Sequence, residues 1–271
     1  MKLKQKTSLI VTLFMVMMVN GQDFQGVATY KSHRQMDFKN NDSTINSELQ
    51  KELQEQLKRQ FQQEYTLTFN KNESLYKKNE KLEAPMPSRG GITITFSEGP
   101  DMMYKNIKES RFTNQIEKYG KQFLIKDSLP SPKWELLNET KNIGVYTCFK
   151  AQIRTEFKTQ TLTETNGIET VMKEKITTAW YTPQIPIGNG PAEFFGLPGL
   201  ILEINDGKLT LVCTKIVINP EEVITIDEPK KGKEVTQMEF DDIIEKKTKE
   251  MMKQSGTRSK NGTTVIFQSG G

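Results

Sequence analysis

The sequence predicts a mainly β chain with helical additions, folded as a strongly curved antiparallel sheet or half-open barrel with a helix packed on it. Three observations carry this expectation. Short runs rich in Val, Ile, Thr, Tyr and Phe recur between clusters of Gly, Pro, Asn and Asp. One hairpin, from Leu200 to Ile218, agrees in both turn chemistry and alternation. Only two segments, 47–65 and 236–253, carry a helical apolar stripe.

The elements follow in chain order. Lys2, Lys4 and Lys6 precede an 11-residue apolar run, Leu9 to Val19, interrupted only by Thr12. Small residues then lead to Gln22, so residues 1–21 read as a secretory signal peptide cleaved after Gly21. A membrane anchor needs about 20 apolar residues, and this run is shorter. Gly26 to Tyr30 reads as a first strand. Ile45, Leu49, Leu53, Leu57, Phe61 and Tyr65 then recur every fourth residue among Gln, Glu and Lys. Such a stripe drifts by roughly 40° per step, which suits a helix crossing a sheet obliquely.

Thr66–Phe69, Ser74–Lys77, Ile92–Phe96, Met102–Tyr104, Arg111–Ile116, Gln122–Ile125 and Trp134–Glu139 follow as short strands of a meander. Val145 to Glu156 alternates Val145, Thr147, Phe149, Ala151 and Ile153 against Tyr146, Cys148, Lys150, Gln152 and Arg154. The Thr- and Glu-rich stretch 157–170 reads as the tip of a long hairpin returning through Met172 to Thr182. In the 200–218 hairpin, a two-residue Asp206-Gly207 turn pairs Asn205 with Lys208, Ile204 with Leu209, Leu202 with Leu211 and Leu200 with Cys213. Lys230-Lys231-Gly232-Lys233 reads as a solvated loop. Thr236 and Glu239 form a capping box, with Val235 and Phe240 as its hydrophobic staple. The helix they open is expected to fray after Lys253.

The domain reading is a signal peptide at 1–21, one β-rich domain at 22–254 and a flexible tail at 255–271. The mature chain would hold 35 Lys+Arg against 34 acids, a net charge of +1. That balance excludes the concentrated positive charge of a nucleic-acid binder. No later stretch is apolar for long enough to act as a transmembrane anchor. One His and two Cys exclude multi-histidine, zinc-ribbon and iron–sulfur sites, so no metal or cofactor is expected. No Gly-x-Ser-x-Gly elbow, phosphate-binding loop or spaced carboxylate pair marks a catalytic centre, and no catalytic residue is assigned.

Residues 178–204 contain Gly196-Leu197-Pro198-Gly199-Leu200-Ile201. That motif resembles the signature of the GLPGLI family, the Porphyromonas-type exported proteins of Bacteroidota. Trp134 with Ile143 to Ala151, and Trp180-Tyr181-Thr182-Pro183 with Ile185-Pro186 and Gly190-Pro191, are similar to further blocks of that family. The resemblance covers most of residues 24–220. It implies a cell-envelope location, periplasmic, outer-membrane associated or extracellular, and association with outer-membrane transport genes, but no reaction. At the level of architecture alone, the expected sheet resembles the half-open barrel of LolA-type lipoprotein carriers.

Four Gly and three Pro fall within residues 186–199. One reading is a tight apolar corner feeding a core strand. The other is a rim loop presenting Phe194, Phe195, Leu197 and Pro198 beside Trp180 and Tyr181 to a partner protein or an apolar ligand, with 188–191 as a hinge. Adjacent Phe194 and Phe195 point to opposite sides of an extended chain, so both are not expected to be fully buried. Cys148 and Cys213 are the candidate disulfide. The functional expectation is a non-catalytic exported envelope protein binding a partner protein or apolar ligand. The competing expectations are an envelope enzyme using acid or Cys residues and a structural envelope component.

Overall fold

The computed structural model describes residues 24–34, 62–80, 95–96, 101–163, 167–222, 224–258 and 266–267. The strands are β1 (Gly26–Arg34), β2 (Glu64–Phe69), β3 (Glu73–Lys78), β4 (Thr95–Phe96), β5 (Met102–Asn106), β6 (Arg111–Lys118) and β7 (Lys121–Ser128). They continue with β8 (Glu135–Ile143), β9 (Tyr146–Thr163), β10 (Gly167–Thr182), β11 (Leu200–Asn205), β12 (Leu209–Ile218), β13 (Lys233–Val235) and β14 (Ile266–Phe267). One helix, α1 (Gln237–Arg258), lies among the described residues. Twelve strands form one sheet in the order β13-β7-β6-β5-β3-β2-β1-β12-β11-β10-β9-β8, and β14 pairs with β4. Every pairing in the large sheet is antiparallel except β13 with β7.

Period-two alternation builds one apolar face. Ala28 and Tyr30 of β1 pair with Leu67 and Tyr65 of β2, and Leu67 pairs with Tyr76 of β3. Tyr76 pairs with Met103, and Ser74 with Lys105, on β5. All of these are buried. The segment from Pro183 to Gly199, between β10 and β11, lies over this face and contributes Ile185, Ile187, Phe195 and Leu197 to the core. At the β7 end, Phe240 of α1 meets Phe123 with ring centroids 5.3 Å apart. The opposite face is strapped at β5 to β7 by residues 224–231. There Glu228 binds Arg111 and Thr113, and the amide of Lys231 donates to Gln115.

The expectation of a strongly curved sheet or half-open barrel is overturned, and with it the LolA-like architecture. The strand order is linear, its ends are different strands, and no pairing joins β13 to β8. A sheet closes to bury its own apolar face and remove its edges. Here the Pro183–Gly199 segment and α1 cover that face instead. The edges are blunted locally: β13 has three residues, and β8 carries a register shift between Leu136 and Thr140.

Smaller corrections follow the same physics. The 200–218 hairpin pairs Asn205 with Thr210 and Ile204 with Leu211, two residues away from the expected register. Asp206 Oδ1 accepts from the amides of Lys208 and Leu209, and Asn205 Oδ1 accepts from that of Gly207, so side chains close a four-residue loop. A shift of two keeps every side chain on its expected face. Tyr65, expected to end a helix, lies in β2 and stacks on Tyr76 with centroids 4.8 Å apart. The rest of that helix, like the signal peptide, lies outside the described residues apart from 62–64. Lys233 belongs to β13 rather than to a solvated loop. The backbone there passes so close to Phe123 that a Cβ on Gly232 would lie 2.7 Å from its carbonyl carbon. The capping box forms as read, with Thr236 N donating to Glu239 at 2.8 Å and Glu239 N to Thr236 Oγ1 at 3.2 Å. The helix runs on to Arg258, past the expected end.

Candidate functional site

The Pro183–Gly199 segment has no sheet ladder, so its carbonyls need other donors. Backbone amides satisfy several, among them those of Ile185, Gly188 and Pro191, and side chains of the sheet region serve three more. Lys105 Nζ donates to the carbonyls of Gly190 at 2.8 Å and Phe194 at 3.0 Å. Trp134 Nε1 donates to Phe195 O at 2.8 Å, and Tyr30 Oη donates to Ile201 O, just past the segment, at 2.6 Å. Glycines permit the close approach. A Cβ on Gly188 would lie 2.9 Å from Leu197 O, and one on Gly199 would lie 2.2 Å from Thr182 O.

Lys105 is fully buried, and burial pushes its amine down to about 7 against the opposing pull of Glu193. Asn189, also fully buried, accepts at Oδ1 from Ser74 Oγ at 3.1 Å and from Gly190 N at 2.9 Å. Its Nδ2 has no hydrogen-bond partner among the described residues. Burial raises the hydroxyls of Tyr30 and Tyr76 well above the ordinary tyrosine range.

Among the expected site residues, Phe195, Leu197 and Tyr181 are buried, Phe194 is half-buried, and Pro198 and Gly196 are exposed. Phe194 lies 6.2 Å from Trp134 between ring centroids. Trp180 points away from this group, and the Lys141 amine sits 4.4 Å from its ring centroid. Lys141 also pairs with Glu203 at 2.7 Å. Gly199, Leu200 and Ile201 are buried where the segment enters β11. Residues 188–191 are packed against Ile201, Ser74 and Lys105, which leaves little room for a hinge.

Cys148 and Cys213 are buried and free. Burial pushes their thiols up to about 11 and about 12, which keeps both protonated and poorly nucleophilic at neutral pH. His33 is exposed on β1. Among the described residues no group of three or more His, Cys, Asp or Glu is placed to hold a metal ion. Among them, too, no helix is long and apolar enough to cross a membrane.

A second locus lies at the β8–β10 end. Strand β8 pairs with β9 no further than Gln152, and β11 pairs with β10 no further than Thr178. Beyond these points, Ile153↔Thr177 through Thr163↔Gly167 form a ribbon of 11 paired positions to which no third strand pairs among the described residues. At about 3.3 Å per residue it projects roughly 35 Å. Of the eight exposed large hydrophobics among the described residues, Leu136, Val145, Phe149, Val171, Met172 and Ile176 lie at this end, Val145 being 87% exposed.

Sequence reasoning missed Lys105, because nothing in Met102–Asn106 distinguishes a buried lysine from a surface one. It placed Val145 and Phe149 on a strand face without seeing that Val145 falls in the turn before β9 and that both are exposed. The usable signal was length: the hairpin from 145 to 182 is far longer than the strands beside it.

Residues 134–203 match a family described as "Protein of unknown function (Porph_ging)". Over that stretch the chain is similar to an uncharacterised, Porphyromonas-linked domain. No curated protein matches the chain. Among solved structures, it is similar to PNGF-II in its C2 crystal form, at 15% identity and a TM-score of 0.46 over 82% of this chain and 33% of that one. The P21 form of PNGF-II gives 13% identity and a TM-score of 0.47 over 83% and 33%. The chain therefore spans about a third of the length of these structures.

Proposed function

We propose that this chain is an exported, non-catalytic cell-envelope protein that binds a protein partner through the β8–β10 end of its sheet, and that it is a member of the GLPGLI family. The observation that carries the binding reading is the projecting ribbon, with Val171, Met172 and Ile176 exposed along it and Leu136, Val145 and Phe149 exposed on the strands it extends from. Two strands alone are marginal in water, and exposed apolar groups gathered at one end of a molecule mark contact surfaces. A protein partner is favoured over a small apolar ligand because the face expected to form a cavity is filled by the Pro183–Gly199 segment. The family reading draws on Gly196 to Ile201 and on the partial match at 134–203. The export reading draws on residues 1–21.

Affinity capture from the native envelope tests the binding reading. Wild-type chain is compared with a Val145→Ser, Met172→Ser, Ile176→Thr variant. The expected result is a discrete protein retained by the wild type and lost by the variant at an unchanged melting temperature. Identical captured sets would overturn it. Export is tested separately by terminal mass analysis, which should find Gln22 first; retention of Met1 would contradict it.

A further inference from the structure

We propose that Lys105 and Asn189 become joined by an amide cross-link that the folded chain forms on itself. The two residues belong to one buried hydrogen-bonded cluster, Lys105 from the sheet and Asn189 from the segment above it. Ser74 stands directly opposite Lys105 in the β3–β5 ladder and donates to Asn189 Oδ1 at 3.1 Å, which sets the carboxamide over the strand pair that carries the lysine. From above, Lys105 Nζ is held at 2.8 Å by the carbonyl of Gly190, the residue bonded to Asn189.

The carboxamide is prepared for attack. Its Oδ1 takes two donors, Ser74 Oγ and Gly190 N, which are placed to stabilise negative charge developing on that oxygen. Its Nδ2, the leaving nitrogen, is tied to nothing among the described residues. Both side chains have no exposed surface, so water is kept from competing. The lowered basicity of Lys105 supports the same chemistry, since a share of the amine carries a free lone pair near neutral pH.

The step balances without an external reagent. The Nζ lone pair attacks Asn189 Cγ, and a Cγ–Nζ bond forms. The Cγ–Nδ2 bond breaks, one proton passes from Nζ to Nδ2, and ammonia leaves. The product amide keeps one N–H, enough to satisfy one of the two carbonyls that Lys105 now serves.

Peptide mapping of the full-length folded chain tests this. The expected result is a linked pair of peptides, one containing Lys105 and one containing Asn189, lighter than their sum by one ammonia. The reading is made on peptides because cyclisation of an N-terminal Gln22 also releases ammonia. Lys105→Arg should abolish the linked pair. Asn189→Ala should abolish it as well while keeping a cooperative urea transition. Unlinked Lys105 and Asn189 peptides from the folded wild type would overturn the proposal.

Discussion

The amine of Lys105, with no exposed surface, lies 2.8 Å from the carbonyl of Gly190. One strand of the sheet thereby holds down a segment that has no ladder of its own. Burying a cation is unfavourable unless its protons are received, and here two carbonyls receive them.

A pH dependence follows wherever the amine is free, as in Asn189→Ala. Burial lowers Lys105 from 10.5 to about 7 in the folded chain. Between those values the unfolded chain holds a proton that the folded chain does not, so stability rises with pH across that window. Below the folded value both states are protonated and this contribution is flat. Urea unfolding from pH 6 to pH 10 should show the rise in Asn189→Ala and lose it in Asn189→Ala/Lys105→Met. The second variant should also be less stable near neutral pH by about 1–3 kcal/mol, because two buried carbonyls lose their donor. An identical slope in both variants would count against the assignment.

Gly199 and Gly207 should respond differently to an added side chain. A Cβ at Gly199 would overlap Thr182 O at 2.2 Å, whereas at Gly207 nothing lies within 4 Å. Gly199→Val is expected to cost about 3 kcal/mol or more, combining overlap with backbone strain. Gly207→Ala, with φ of 88°, should cost about 1 kcal/mol. Equal shifts in the urea midpoint would contradict this account of the motif.

Phe194 and Phe195 separate in the same way. Phe195 is buried and its carbonyl accepts from Trp134, while Phe194 is half-buried against the Trp134 ring. Phe195→Ser should destabilise by about 3–5 kcal/mol, and Phe194→Ser by less than half as much. Thermal melts of the two variants decide this; a larger loss at Phe194 would reverse the assignment.

Strand positions, the Thr236–Glu239 cap and the faces of the 200–218 hairpin were legible in the sequence because each rests on local rules. Alternation, turn chemistry and capping act within a few residues. The hairpin register, though also local, was missed: it moved by two because Asp206 accepts the amides of Lys208 and Leu209, at 3.0 and 2.7 Å. The rest of what was not legible depended on distant partners. A strongly curved sheet was expected from the succession of short strands and turns, which does not reveal that the Pro183–Gly199 segment covers the apolar face of a sheet with linear strand order. Gly188 and Gly190, read as a hinge, are small because Leu197 O and Ile201 crowd them. Lys105 escaped notice because its role depends on carbonyls 85 and 89 residues away.

Partner binding at the β8–β10 end is tested most directly by a photo-crosslinking amino acid placed singly in the full chain in its native host. Val145 and Met172 are the test positions, and exposed Lys121, at the turn between β6 and β7 near the other end of the sheet, is the control. Illumination should yield one discrete protein adduct at positions 145 and 172 and none at 121. No adduct at either test position, or the same adducts at all three, would contradict the assignment of this end as the binding surface.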